Sequence, residues 1–76
     1  MARVLLFGRL ADQAGWRDRV IEAVDLSALR QVLSVELGDA LTAPGVQVAV
    51  DKAIVRGEVA LTTASEVAFL PPMSGG

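Results

Sequence analysis

The chain has 76 residues, seven basic against nine acidic, and contains no cysteine, histidine or tyrosine. That length makes one domain, near the lower end of what folds unaided. The missing residue types exclude disulfides, thiolate zinc sites and thiol catalysis, and they remove both the usual neutral-pH base and the commonest metal ligand. The balance of charge is slightly acidic with no basic stripe, and the only aromatics are Phe7, Trp16 and Phe69. Nucleic-acid binding needs phosphate-neutralising clusters and usually stacking aromatics, so no nucleic-acid partner is expected. No apolar run approaches membrane-spanning length, and the opening residues read as a first strand instead of a signal peptide, so no membrane partner and a cytoplasmic setting are expected. Hydrophobic residues make up 53% of the chain. A small domain has too little interior for all of them, and exposed apolar patches usually mark partner sites.

Residues 3–8, Arg-Val-Leu-Leu-Phe-Gly, form a first strand with Val4 and Leu6 on one face and Leu5 and Phe7 on the other. Residues 8–15 are a loop or short helical turn around Leu10, Ala11 and Ala14, closed by Gly15. Residues 16–23 alternate well enough for a second strand, antiparallel to the first. Asp25 then fits a helix N-cap, with Val24 and Leu29 at hydrophobic-staple spacing. Leu26, Leu29, Val32, Leu33 and Leu37 make one apolar stripe over about three turns, and Gly38 suits the C-terminal cap. This helix is the best-marked element. Residues 39–45 form a loop turned by Pro44 and Gly45. Residues 47–50 are a strand, Asp51 and Lys52 a turn, and residues 53–56 a short strand. Residues 57–65 are irregular, anchored by Val59 and Leu61, with a polar turn at 62–65. Residues 66–70 are the last strand. One helix with one stripe covers one face of a sheet. The expected fold is therefore α+β, a mixed sheet of four to five strands curled around one main helix, with the first and last strands adjacent in the middle.

Within that frame there is no phosphate-binding glycine pattern, no paired metal ligands and no nucleophile–base constellation. Asp25 reads as a cap, and Ser27 and Ser34 as helix-surface residues. Lys52 is the only lysine, and its turn context makes it an exposed residue rather than a Schiff-base amine. The unusual stretch is the end. Pro71 and Pro72 terminate the last strand, since proline has no N–H for a ladder. Met73, Ser74, Gly75 and Gly76 follow. Glycine has no side chain to bury and loses the most conformational freedom on ordering. A Gly-Gly end is thus thin and open around its own carboxylate, suited to entering another protein's active site. The dipeptide alone is also what a frayed terminus looks like.

The run Glu66-Val67-Ala68-Phe69-Leu70-Pro71-Pro72-Met73-Ser74-Gly75-Gly76 carries more. With Val4 to Gly8 at the start, the helix opening from Asp25 to Arg30, and Val48 to Asp51 in the third strand, the chain resembles the small subunit of molybdopterin synthase. That family belongs to the ubiquitin-like, β-grasp sulfur carriers. A Gly-Gly end is shared with the thiamine sulfur carrier and with ubiquitin-like modifiers, but the Phe-Leu-Pro-Pro approach favours the molybdopterin branch. The residues before the last strand, Thr63-Ala64-Ser65, depart from the Gly/Asp-rich turn frequent in the family.

The resemblance implies a β-grasp domain over residues 1–70 and a flexible tail over 71–76. It implies that the Gly76 carboxylate is adenylated by an ATP-dependent activating enzyme and then becomes a thiocarboxylate. The tail, Pro71, Pro72, Met73, Ser74 and Gly75, would insert into the large synthase subunit, where sulfur passes to cyclic pyranopterin monophosphate. Phe7, Phe69 and Leu70 would lie on or near the apolar surface that meets partners. The chain itself would be a non-catalytic sulfur-donor subunit, two of them on a dimer of large subunits. It would bind no metal or cofactor, ATP being used by the activating enzyme. A protein modifier joined through Gly76 to lysines, and a thiamine-type carrier, are the alternatives with the same terminal chemistry.

Overall fold

A computed structural model describes residues 2–72. Five strands form one mixed sheet. They are β1 (Ala2–Leu6), β2 (Asp18–Ile21), β3 (Gln47–Val50), β4 (Ala53–Val55) and β5 (Glu66–Leu70), in the spatial order β2-β1-β5-β3-β4. β5 lies between β1, which it pairs in parallel, and β3, which it pairs antiparallel. The first and last strands are therefore neighbours at the centre, as expected.

The main helix, α2 (Leu26–Leu37), packs across one face of this sheet. Leu26, Leu29, Leu33 and Leu37 are all buried, and they meet Val4 and Leu6 of β1, Val67 and Phe69 of β5, and Val48 and Val50 of β3 in one core. Asp25 caps the helix, its carboxylate accepting from the Ala28 N–H at 2.8 Å. Val32 lies at the margin of the stripe and is half exposed. Among the described residues, no buried side-chain polar atom lacks a hydrogen-bond partner.

Several details differ from the sequence reading. Residues 8–14 form a full helix, α1 (Gly8–Ala14), with Leu10 and Ala11 buried and Gly15 as its left-handed cap. Pattern alone could not separate this from a loop, because a seven-residue helix depends on tertiary packing. β2 is shorter than residues 16–23, since the chain bends at Arg17 and the Trp16 ring turns back onto the core edge. The stretch after α2 begins with a 3-10 helix, Gly38–Thr42, which buries Leu41. Val24 is 74% exposed, so there is no hydrophobic staple with Leu29. Backbone pairing sets the entry to α2 instead: the Leu61 N–H donates to Val24 C=O and the Leu26 N–H to Val59 C=O, both at 2.9 Å. Asp51 and Lys52 form the β3–β4 turn with positive φ at both positions. Asp51 Oδ1 accepts from the Glu66 N–H at 3.0 Å, and Lys52 stands exposed at the tip.

Candidate functional site

The tail follows the central strand of the sheet. β5 alternates strictly: Val67 and Phe69 are fully buried against α2, while Glu66, Ala68 and Leu70 lie half buried on the other face. Its last pair is Leu70 with Gln47 of β3. Pro71, half buried, and Pro72, exposed, follow at once and end the ladder. The expected functional residues Met73, Ser74, Gly75 and Gly76 lie outside the described residues.

The outward face of the sheet has a polar end and an apolar end. In register, Leu5 of β1 faces Ala68 of β5, Ala68 faces Ala49 of β3, and Ala49 faces Ile54 of β4. This row of four apolar side chains crosses four strands with no helix over it; Ile54 is 51% exposed, Leu5 and Ala68 are half buried, and Ala49, between Ala68 and Ile54, is buried at 8%. Leu70 continues the apolar surface toward the tail, with Phe7 exposed just past the end of β1. Away from the tail the same face is charged. Arg3 donates from Nε to both Asp18 carboxylate oxygens at 3.1 Å and reaches Glu66 at 3.8 Å. The hydrogen bonds from Arg3, aided by its charge, hold the Asp18 carboxyl below its usual range.

One of the three residues expected on the partner surface is not there. Phe69 is 0% exposed, because strand parity turns its ring onto α2. It is a core residue, flanked by Leu6 of β1 and Val48 of β3. Leu5, Ala68, Ala49 and Ile54, which the sequence reading did not select, occupy the outward positions. Their signal was available: in a strand apolar at consecutive positions, the residues out of phase with the core set line the opposite face.

Two charged clusters away from the tail tie elements together. Glu36 of α2 accepts from Trp16 Nε1 at 3.0 Å and Arg19 at 3.2 Å, and Arg19 lies 4.5 Å over the Trp16 ring. Hydrogen bonding from Trp16, with Arg19 adding to it, lowers the Glu36 pKa. Glu58 reaches the start of α2, where one carboxylate oxygen accepts from the Ser27 and Val59 N–H groups at 3.0 Å each. Hydrogen bonds from Ser27 above all hold its pKa down. Among the described residues there is no group of three or more His, Cys, Asp or Glu able to hold a metal, and no helix is long and apolar enough to cross a membrane.

A five-stranded mixed sheet grasping one long helix, with the chain's last residues issuing from the central strand, defines a small β-grasp domain of the ubiquitin-like kind. The chain belongs to the ThiS family, whose model matches residues 4–76. This is a family of small sulfur carriers. No curated protein matches it in sequence. Among solved structures it is similar to SAMP1 from Haloferax volcanii, with 24% identity, a TM-score of 0.73, and coverage of 99% of this chain and 98% of that one. It is also similar to the small archaeal modifier protein 1 from Methanosarcina acetivorans, with 18% identity, a TM-score of 0.80, and coverage of 99% and 95%. A third likeness is to a chain of the complex of subunits 1 and 2 of molybdopterin-converting factor from Helicobacter pylori 26695. There the identity is 24%, the TM-score 0.75, and the coverage 99% and 97%.

Proposed function

We propose that this protein is the sulfur-carrier subunit of a molybdopterin synthase. The observation that carries the proposal is an outward apolar surface crossing the strand that leads into a Pro-Pro-Met-Ser-Gly-Gly tail, on a ThiS-family domain. A carboxylate is a poor electrophile until one oxygen becomes a good leaving group. An ATP-dependent activating enzyme supplies this: a Gly76 carboxylate oxygen attacks the α-phosphorus of ATP, pyrophosphate leaves, and an acyl adenylate forms. Sulfur at the sulfide level then attacks the acyl carbon, AMP leaves with the carbon–oxygen bond to phosphate broken, a proton is released, and the terminus is a thiocarboxylate. The large synthase subunit receives the tail, and the sulfur passes to cyclic pyranopterin monophosphate. Glycine leaves the carbonyl open to attack because no Cβ stands beside it.

The row Leu5, Ala68, Ala49 and Ile54, with Leu70 and Phe7, forms the face that meets the large subunit. Similarity to a structure of two molybdopterin-converting factor subunits supports such a partner. The carrier binds no cofactor of its own and works in the cytoplasm. A second reading, a protein modifier joined through Gly76 to target lysines, is favoured by the likeness to two modifier structures.

The intact mass of the untagged protein, incubated with an activating enzyme, ATP and a sulfur donor, tests the proposal. A gain equal to one oxygen-to-sulfur exchange at Gly76 is expected. An unchanged mass, together with Gly76–lysine isopeptide adducts in extracts, would replace the carrier reading with the modifier one.

A further inference from the structure

The two prolines at the root of the tail do not stand free. A Cβ built on Gly8, at the start of α1, would come within 3.0 Å of Pro71 Cγ, and one built on Gly45 within 2.9 Å of Pro72 Cβ and 3.4 Å of Pro72 Cα. Gly45 belongs to the turn between the 3-10 helix and β3, closed by the Val46 N–H donating to Ala43 C=O at 3.2 Å. Both glycines have positive φ, 54° at Gly8 and 90° at Gly45. Beneath the prolines lies a groove of about 240 Å³ between α1 and the 3-10 helix, its walls including Leu10, Gln13, Ala40 and Ala43. The Gln13 side chain ties α1 to the end of α2 by donating to Leu37 C=O at 3.2 Å.

We infer that Gly8 and Gly45 are positioning residues, forming a seat free of side chains that holds Pro71 and Pro72 and aims the four residues beyond them. The inference rests on the carrier reading for its purpose and on the contacts above for its geometry. Each proline has its φ locked by its ring, and each lies against a glycine where any other residue would push it aside. At Gly45 the nearest groups include the Pro72 backbone, which cannot rotate away as a flexible side chain could. Four residues separate Pro72 from the carboxylate, and a chain of four spans at most about 14 Å. A tail launched in a set direction loses less freedom when a partner captures it, which lowers the cost of docking without touching the acyl chemistry.

The glycines supply their own control. Gly57 also has positive φ, 86°, but a Cβ there meets nothing within 4 Å. Asparagine tolerates the left-handed region yet carries a Cβ. Gly8→Asn, Gly45→Asn and Gly57→Asn thus impose similar backbone demands, and only the first two disturb the prolines. In steady-state adenylation of the full chain, Gly8→Asn and Gly45→Asn should raise the KM for the carrier on the order of tenfold or more, with kcat unchanged. Gly57→Asn should leave both constants at the parent's values. Proton NOEs from Gly45 to Pro72 and from Gly8 to Pro71 should be present in the parent and in Gly57→Asn. Unchanged KM in both seat variants would overturn the inference, as would absence of those NOEs in the parent. A parent that is not adenylated at all refutes the carrier reading instead, and the seat then stands or falls on the NOEs.

Discussion

Adjacent residues of β5 should respond to truncation in opposite ways. Phe69 is fully buried and sits on the central strand against α2, whereas Leu70 is half buried on the open face. Removing a buried phenylalanine side chain costs about 3–5 kcal/mol in lost transfer energy and residual cavity. At roughly 0.05–0.15 kcal/mol per residue, a chain of 76 residues has about 4–11 kcal/mol in total. Phe69→Ala therefore consumes a large share of the stability and leaves little margin. Leu70→Ala, still open to solvent on one side, should cost about 1 kcal/mol or less.

Urea unfolding measures both. Trp16 is the only tryptophan, is partly buried at the core edge, and lies under Arg19, so its fluorescence reports the transition directly. With a slope near 1 kcal/mol per molar urea for so small a domain, Phe69→Ala should lower the midpoint by about 3 M or more and Leu70→Ala by about 1 M or less. Affinity for the large subunit should invert the order. On the proposed carrier reading Leu70→Asp weakens binding on the order of a hundredfold by burying an unpaired charge, while its melt falls less than that of Phe69→Ala. Equal midpoint shifts for the two alanine variants would refute the alternation of faces in β5, and with it the assignment of the outward row.

Further outcomes follow from the caps and the tail. Asp25→Ala should destabilise by about 1 kcal/mol through loss of the N-cap, read as a melting shift with no change in adenylation. Asp18, Glu36 and Glu58 all have pKa values lowered in the folded state. The unfolded chain takes up their protons first, so the stability they add is complete above the ordinary carboxylate range near pH 4–4.5 and is lost as pH falls through the lower folded values. Glu58→Gln should melt lower than the parent at neutral pH, and the gap should close on acidification below about pH 4. A gap that stays constant with pH would show that the charge of Glu58 does not stabilise the start of α2. One residue added after Gly76 should abolish adenylation while leaving the melting temperature unchanged, and retained adenylation would exclude the terminal carboxylate as the reacting group.

Where one physical requirement dominated, the sequence was legible. The leucine spacing from Leu26 to Leu37 admits one periodicity, and Asp25 and Gly38 mark its ends. Asp51 and Lys52 had to turn because apolar strands flank them on both sides. What remained hidden was decided by contacts between distant segments. α1 exists because Leu10 and Ala11 find the core, not because seven residues favour helix on their own. Glu58 caps α2 from 31 positions away from Ser27, and no local pattern announces that. The resemblance puts Phe69 on or near the partner surface, although parity with Val67 puts it inside. The seat at Gly8 and Gly45 was equally silent, since each glycine taken singly is only a turn residue.

The arrangement also divides labour along β5, with consequences for how binding energy is used. A tail ending in two glycines has little apolar area to bury, and ordering it is costly. On the proposed carrier reading it contributes little to affinity for a partner. The outward row from Leu5 to Ile54, continued by Leu70, offers the larger apolar contact, and it crosses the strand that carries the tail. Affinity gained on the face can therefore hold the terminus in a partner's active site even if the tail alone would not stay there. Substitutions on the face should then change binding with kcat preserved at saturation, while substitutions at Gly75 or Gly76 should lower kcat with affinity preserved. A face variant that lowered kcat at saturating partner would mean that the sheet does more than hold the domain in place.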